Sequence, residues 1–357
     1  MNPSQPQPGP HLKLYHKIAQ RIREGTLPKG EVLPSDQELA EEYGVSRYMA
    51  RRAYSELVRS GLVQRIRKRG TMVIYDPATA KLRKVGLILV ADVPSYYLFE
   101  KGVEDVLGDR GAGLFVQYTY DSELRSEAAI QEALEHGVEG LIASPPPHGS
   151  HETHVRLAAR GFPVVLALVY SEKMSCVYPD DDRAGFLMGE HFGAQGFKRP
   201  VALGQDQAYA ERRIEGFRKG LARHGVRLLK QNVFDIQYED EDGEYLEDMG
   251  RREVERILSM KQRPDSIFAV NDSTAIAVHY WLNQRGLRVP EDIAVAGVDN
   301  LGRKFHPFQL TSVDIGLEAM GRAAAEALLR QLERPRMPAI YQRMEPRLVV
   351  SRSTSRG

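Results

Sequence analysis

The spacing of apolar positions changes twice along this chain, and each change marks a different kind of structure. In residues 11–24, Leu14, Ile18 and Ile22 recur at helical spacing, so the segment reads as an amphipathic helix ending in the turn Gly25-Thr26-Leu27-Pro28-Lys29-Gly30. Ser35 followed three places on by Glu38 is a capping box. It opens a short helix with Leu39, Ala40 and Tyr43 on its apolar face, and Gly44 stops that helix. Ser46 caps a second helix whose inward face is Ala50, Ala53, Tyr54, Leu57 and Val58. On its outer side lie Arg47, Arg51 and Ser55, flanked by Tyr48 and Arg52. After Gly61 the texture becomes β-rich. Leu62–Ile66 and Thr71–Ile74 predict a hairpin joined by the basic tip Arg67-Lys68-Arg69-Gly70.

Asp76 to Lys84 lacks periodicity, contains Pro77 and reads as a linker. From Val85 a regular alternation sets in. Apolar strands are expected at 85–90, 114–118, 140–143 and 164–169, with helices between them reaching Leu107, His136 and Arg160. A second series follows Cys176, with helices over 183–194, 212–224 and 275–284 and one ending near Met260. Its strands are expected at 201–203, 233–236, 266–270 and 293–298. Apolar strands alternating with helices imply parallel sheets covered on both faces. Two series in tandem imply two Rossmann-like lobes with a cleft between them, and ligands in such sheets bind outside the carboxyl ends of the strands.

Composition narrows the function classes. The 357 residues suffice for two or three domains, and no apolar run approaches the length of a membrane span. The first ten residues, rich in proline and lacking a charged or apolar signal region, read as a disordered leader, which points to a cytoplasmic protein. The lone cysteine, Cys176, excludes an internal disulfide and a multi-cysteine zinc site. Net charge is only +1 but is unevenly placed: residues 11–76 hold 13 basic and 8 acidic side chains, and the rest of the chain holds 36 and 40. From Val45 to Tyr75 there are eight basic residues against one acid, Glu56. On a capped helix-turn-helix followed by a hairpin, that cluster is an electrostatic footprint for DNA phosphates.

The strand-end rule singles out polar residues directly after apolar strands. Asp92, Ser144, Asp272 and Asp299 follow four of them, with Asn271 beside Asp272, and Arg213 begins the helix after Val201–Leu203. Carboxylates and an arginine converging on a cleft grip vicinal hydroxyls, and Tyr96 and Tyr97 are placed to stack on the apolar face of a sugar ring. Simpler roles are open for the same residues: Asp180 and Asp272 are also placed to cap helices, and Arg213 to lie on a surface.

The N-terminal motifs carry a resemblance. Leu14-Tyr15-His16-Lys17-Ile18, Leu33-Pro34-Ser35, Glu38-Leu39-Ala40, Gly44-Val45-Ser46-Arg47, Gly61-Leu62-Val63 and Arg69-Gly70-Thr71 resemble the winged-helix DNA-binding domain of GntR-type bacterial regulators. The resemblance implies DNA contacts from Arg47 and Arg51 and from the wing tip Arg67, Lys68, Arg69 and Gly70. Ser35, Gln37, Ser46, Tyr48 and Arg52 complete the expected DNA-facing set. This chain departs from the pattern at Tyr48, Met49 and Gln37.

The remainder is similar to the effector domain of LacI/GalR-type regulators, which share the periplasmic-binding-protein fold. The residues concerned include Asp180-Asp181, Glu190-His191-Phe192, Arg213-Ile214-Glu215-Gly216-Phe217, Asn271-Asp272, Gly297-Val298-Asp299 and Leu310-Thr311-Ser312-Val313. That likeness implies effector contacts from Arg213, Asp272 and Asp299. A head of the first kind on a body of the second resembles arabinose-responsive regulators of Gram-positive bacteria. Ile315 stands where that family often has glutamine.

The domains expected are therefore a leader (1–10), a winged helix-turn-helix of α+β type (11–75), a linker (76–84) and an α/β two-lobed effector-binding and dimerisation domain with two parallel sheets (85–357). The expected function is a ligand-responsive transcriptional repressor, a homodimer whose partners are operator DNA and a sugar-like effector, with no membrane. Repression relieved by the sugar is the expected direction. No catalytic residue, metal or cofactor is assigned. The spacing of His148, His151, Glu152 and His154 could offer metal ligands, but they lie in a polar loop entering a helix and are set aside, and Gly108 to Gly113 follows a helix, so it is no dinucleotide fingerprint. Two other classes make different demands on the sequence. An enzyme carrying a DNA-binding head would need a nucleotide loop or catalytic constellation, and a sugar-transport protein would need an export signal.

Overall fold

The computed structural model describes residues 10–66, 69–75, 83–90, 93–120, 122–145, 151–205, 207–236, 245–302 and 307–355. The chain divides into two compact units, Met1–Lys84 with Asp105–Leu114 and Val85–Glu104 with Phe115–Gly357.

In the first unit, α1 (Pro10–Arg23), α2 (Asp36–Tyr43) and α3 (Arg47–Arg59) precede a three-stranded antiparallel sheet. The sheet is ordered β1 (Val32–Leu33), β3 (Gly70–Val73), β2 (Val63–Ile66). The capping box is present: Ser35 accepts from the Glu38 backbone, and the Glu38 carboxylate accepts from the Ser35 backbone at 2.8 Å. Gly44 ends α2 at φ 64°, a left-handed conformation that glycine adopts without strain. Apolar faces predicted from the sequence meet in one core of Leu14, Ile18, Ile22, Leu39, Tyr54 and Leu57. The Tyr54 hydroxyl donates to the Pro34 carbonyl at 2.5 Å, and Arg65 on β2 pairs with Asp36 at 3.0 Å. The first contact ties α3 to the entry of α2, and the second braces α2 against the wing. Gly70 pairs with Ile66 inside the sheet, so the hairpin tip is one residue shorter than expected, and Arg67 and Lys68 of that tip lie outside the described residues.

The second unit holds two six-stranded sheets, one per lobe. The first is ordered β14 (Tyr341–Met344), β8 (Cys176–Pro179), β7 (Val164–Ala167), β6 (Gly140–Ala143), β4 (Lys84–Leu89), β5 (Gly113–Tyr118). The second is ordered β10 (Val233–Ile236), β9 (Pro200–Gln205), β11 (Ser266–Ala269), β12 (Ala294–Val298), β13 (Thr311–Asp314), β15 (Arg347–Val349). The pairings from β10 to β13 are parallel, and β15 closes the edge antiparallel. Every residue of β6, β7, β11 and β12 is buried, as parallel strands covered on both faces must be. The connecting helices include α4 (Pro94–Arg110), α5 (Glu123–Glu135), α6 (Glu152–Ala159), α7 (Asp181–Ala194), α8 (Ala208–Ala222), α9 (Tyr245–Leu258), α10 (Asp272–Gln284) and α11 (Leu317–Glu333).

The lobes exchange chain three times, between β8 and α7, between β13 and α11, and between β14 and β15. These crossings are tied together. The Asp180 backbone N–H donates to the Met344 carbonyl at 3.1 Å, and Arg347 pairs with Asp314 at 3.0 Å. Strands β8, β13, β14 and β15 escaped the hydrophobic pattern because their few residues mix polar and apolar side chains, and the last two lie at sheet edges with largely exposed side chains.

Candidate functional site

At the carboxyl ends of the second-lobe strands, a charged cluster is built around Arg213. This residue lies in the second turn of α8, which begins at Ala208, four residues earlier than the sequence pattern placed it. Helix α8 packs against α7 at backbone contact distance. A Cβ on Gly185 would lie 1.8 Å from the Arg213 carbonyl oxygen, and one on Gly216 would lie 2.0 Å from that of Asp182. Only glycine permits this approach, which brings Arg213 beside the first residue of α7.

There the Arg213 Nε donates to Asp181 Oδ1 at 2.9 Å, and Arg212 Nη2 donates to Asp181 Oδ2 at 3.2 Å. The Arg213 Nη1 donates to the Val270 carbonyl at 2.6 Å and lies 3.6 Å from Asp299 Oδ1. The Tyr209 ring faces the guanidinium at 4.7 Å, and the Tyr209 hydroxyl donates to Gln205 at 2.5 Å. The side chains of Arg213 and Asp181 are 5% and 1% exposed. Burial opposes the guanidinium charge, but Asp181, Asp299 and Tyr209 more than offset it and hold its pKa above the usual value.

The two remaining carboxylates have different roles. Asp272 begins α10 and is buried; its Oδ1 accepts from the Ser312 hydroxyl at 2.7 Å and its Oδ2 from the Leu301 backbone at 2.9 Å. Both oxygens therefore hold the turn after β12. Asn271, not Asp272, caps α10, and Asp180 caps α7. Asp299 stands in that turn with φ 117°, followed by Asn300 at φ 53°. Burial pushes its carboxyl up to about 7, against the pull of Arg213 and with the push of Asp181. Burial, then Asp299, also raises Asp272 well above the usual carboxylate range.

Among the described residues, the four non-glycine positions with positive φ are Tyr120, Leu168, Asp299 and Asn300. Each follows the carboxyl end of a strand, β5, β7 or β12. Such conformations cost energy and persist where the surrounding structure dictates them, commonly at binding sites. In the first lobe, Ser144 is buried at the end of β6, and its backbone N–H donates to Ile88 at 2.8 Å. Tyr96 is half-buried and Tyr97 exposed in the first turn of α4, while Asp92 lies outside the described residues. Leu98 of α4 and Leu168 pack on the second-lobe cluster that contains Ala184, Ile315 and Leu317. The strand-end rule found Arg213, Asp272 and Asp299 together but missed Asp181, Tyr209 and Gln205. Asp181 was hidden because the pattern began its helix two residues late; Gln205 was legible as the polar end of an apolar strand.

In the first unit, Ser46 accepts from the Met49 backbone at 3.3 Å and starts α3. Arg47, Tyr48, Arg51 and Arg52 all lie exposed on that helix. Ser35 and Gln37 are exposed at the start of α2, with the Gln37 amide 3.3 Å from Glu41, and Arg69 and Gly70 are exposed at the wing. Among the described residues no group of three or more His, Cys, Asp or Glu side chains could hold a metal ion, and no helix is long and apolar enough to cross a membrane. His148 lies outside the described residues; burial, then His151, pushes the buried His154 down to about 4.

Comparison with known proteins agrees with this division. Residues 10–73 match the family described as bacterial regulatory proteins, gntR family, and residues 190–354 match the periplasmic binding protein-like domain. The chain is 27% identical to an arabinose metabolism transcriptional repressor of Halalkalibacterium halodurans, covering 95% of each. It is 25% identical to the repressor of the same name from Geobacillus stearothermophilus, covering 96% of this chain and 97% of the relative. A LacI family transcriptional regulator from Enterococcus faecium, solved with bound ribose, has a TM-score of 0.66 at 21% identity, covering 76% of this chain and 99% of that one. The transcription regulator GntR from Chromobacterium violaceum has a TM-score of 0.63 at 23% identity, covering 76% of this chain and 99% of its own. These named relatives are regulators rather than enzymes. The chain thus carries a segment that matches the gntR family ahead of one that matches the periplasmic binding protein-like domain, and along nearly its whole length it is similar to transcriptional repressors of arabinose metabolism.

Proposed function

We propose that this protein is a transcriptional repressor whose operator affinity is controlled by an uncharged sugar bound between the lobes of its second unit. The observation that carries the reading is the buried Arg213–Asp181–Asp299 cluster at the carboxyl ends of the second-sheet strands, on a chain that also carries an arginine-lined recognition helix. Two carboxylates already balance the Arg213 charge, so the site favours a neutral polyhydroxylated ligand over a sugar phosphate. Asp299 accepts hydroxyl hydrogens, Arg213 donates, and Tyr96 and Tyr97 cover the ring from the first lobe. The names of the relatives make L-arabinose the first effector to test, with D-ribose second.

The protein acts as a homodimer, since a palindromic operator needs two heads at fixed spacing. Arg47, Arg51, Arg52 and the wing contact DNA, and sugar binding favours one lobe arrangement over another. The effector shifts operator affinity only by its differential affinity for the two arrangements, typically ~1–3 kcal/mol of coupling. The test is selection of genomic fragments on the purified protein, with and without 10-fold serial additions of L-arabinose or D-ribose. Enrichment of a palindromic sequence that either sugar releases is expected; no enrichment over random competitor DNA would end the proposal.

A further inference from the structure

We infer that Asp181 is a positioning residue, which aims the Arg213 guanidinium at the effector and ties it to the chain crossing between the lobes. The inference rests on the effector reading above. Asp181 has no oxygen left for a ligand: Oδ1 accepts from Arg213 Nε at 2.9 Å and Oδ2 from Arg212 Nη2 at 3.2 Å, and the side chain is 1% exposed. It therefore acts through Arg213. Engaging Nε while the Val270 carbonyl engages Nη1 leaves the guanidinium plane one orientation, with Nη1 turned toward Asp299.

The position of Asp181 in the chain gives it a second consequence. It is the first residue of α7, directly after Asp180, where the chain leaves the first lobe. The Asp180 backbone donates to Met344 at the end of β14, and its carboxylate pairs with Arg343 on the same strand at 3.3 Å. A short path of contacts thus runs from an edge strand of the first sheet, through Asp180 and Asp181, to the arginine of the second-lobe site. Whatever turns Arg213 on effector binding pulls on the crossing itself. The charged and titratable groups facing this arginine are Asp181, Asp299, Asp272, Arg212 and Tyr209.

The experiment is calorimetric titration of the full chain with L-arabinose, and with D-ribose, from pH 6 to pH 8.5. Wild type is compared with Asp181→Asn and Asp181→Glu. Asp181→Asn is expected to lose affinity by about tenfold or more, as truncating one partner of a buried, hydrogen-bonded charge pair does. Asp181→Glu, which keeps the charge, recovers part of that loss. The pH midpoint of binding moves lower in Asp181→Asn, because a like charge that favours the proton on Asp299 is gone. Unchanged affinity and midpoint would overturn the inference. So would equal losses in both variants with an unmoved midpoint, which is what a purely structural helix start predicts. If wild type binds neither sugar, the effector reading fails, and Asp181 is then judged from the Arg213 Nε–H resonance in ligand-free protein. A slowly exchanging signal in wild type that vanishes in Asp181→Asn supports the inference, and identical signals in the two proteins refute it.

Discussion

The arginines of α3 and the arginine of α8 are the same side chain in opposite settings. Arg47, Arg51 and Arg52 stand exposed along one helix, with no carboxylate partner among the described residues. Arg213 is buried, bonded to Asp181 and a backbone carbonyl, and stacked on Tyr209. Exposed, unpaired cations suit a phosphate backbone, which supplies its own dense negative charge and releases counterions on binding. A neutralised and oriented cation suits a small uncharged ligand, for which direction matters more than charge. On the reading proposed above, one residue type serves affinity in one unit and geometry in the other.

Arg213→Leu should produce the largest effect, because it takes the guanidinium from the buried Asp299 and leaves Asp181 with Arg212 alone. Breaking such a pair costs about 3–5 kcal/mol of stability, read by urea denaturation at pH 7.5, and the loss should shrink at lower pH as the acids protonate. A loss no bigger than that of an exposed arginine would erase the contrast. Next comes pH. With its carboxyl at about 7, far above its unfolded value, Asp299 binds its proton more tightly in the native state. Stability therefore falls as pH rises from about 4 to about 7 and is level beyond, with the opposite slope for sugar binding if the ligand donates to the ionised acid. Affinity should then rise roughly tenfold from pH 6 to pH 8 in wild type and stay flat in Asp299→Asn. The smallest effect belongs to the exposed set. Arg51→Ala should lower the salt slope of operator binding by about one unit. Its melting temperature should not move, and an unchanged slope would take Arg51 off the phosphate contacts.

Much of this arrangement was legible in the chain. The capping box at Ser35 and Glu38, the glycine stop at Gly44 and the two strands of the hairpin are local signals, and the structure reproduces them with small boundary shifts. Strands such as β6 and β12 announced themselves because both faces are buried. The carboxyl-end rule then placed Asp272 and Asp299 together. What escaped depends on contacts between distant segments. The Asp181–Arg213 bond links residues 32 positions apart through a glycine-mediated helix pair. Strands β8 and β13 to β15 are recognisable only once their neighbours exist, since three or four residues with mixed polarity carry no period. Asp272 was singled out as an effector contact, yet in the structure its oxygens accept from the Ser312 hydroxyl and the Leu301 backbone, a distinction that composition and spacing do not encode.

The threefold exchange of chain between the lobes also governs how the protein is made. Each sheet takes an edge strand from residues 341–349, which leave the ribosome after all of its other strands, β14 for one and β15 for the other. The nascent chain must therefore carry two unfinished sheets, with exposed hydrogen-bonding edges, until residues 341–349 have emerged. A stop codon just ahead of residue 341 would leave both halves incomplete rather than deleting one cleanly, and would yield a product prone to aggregate.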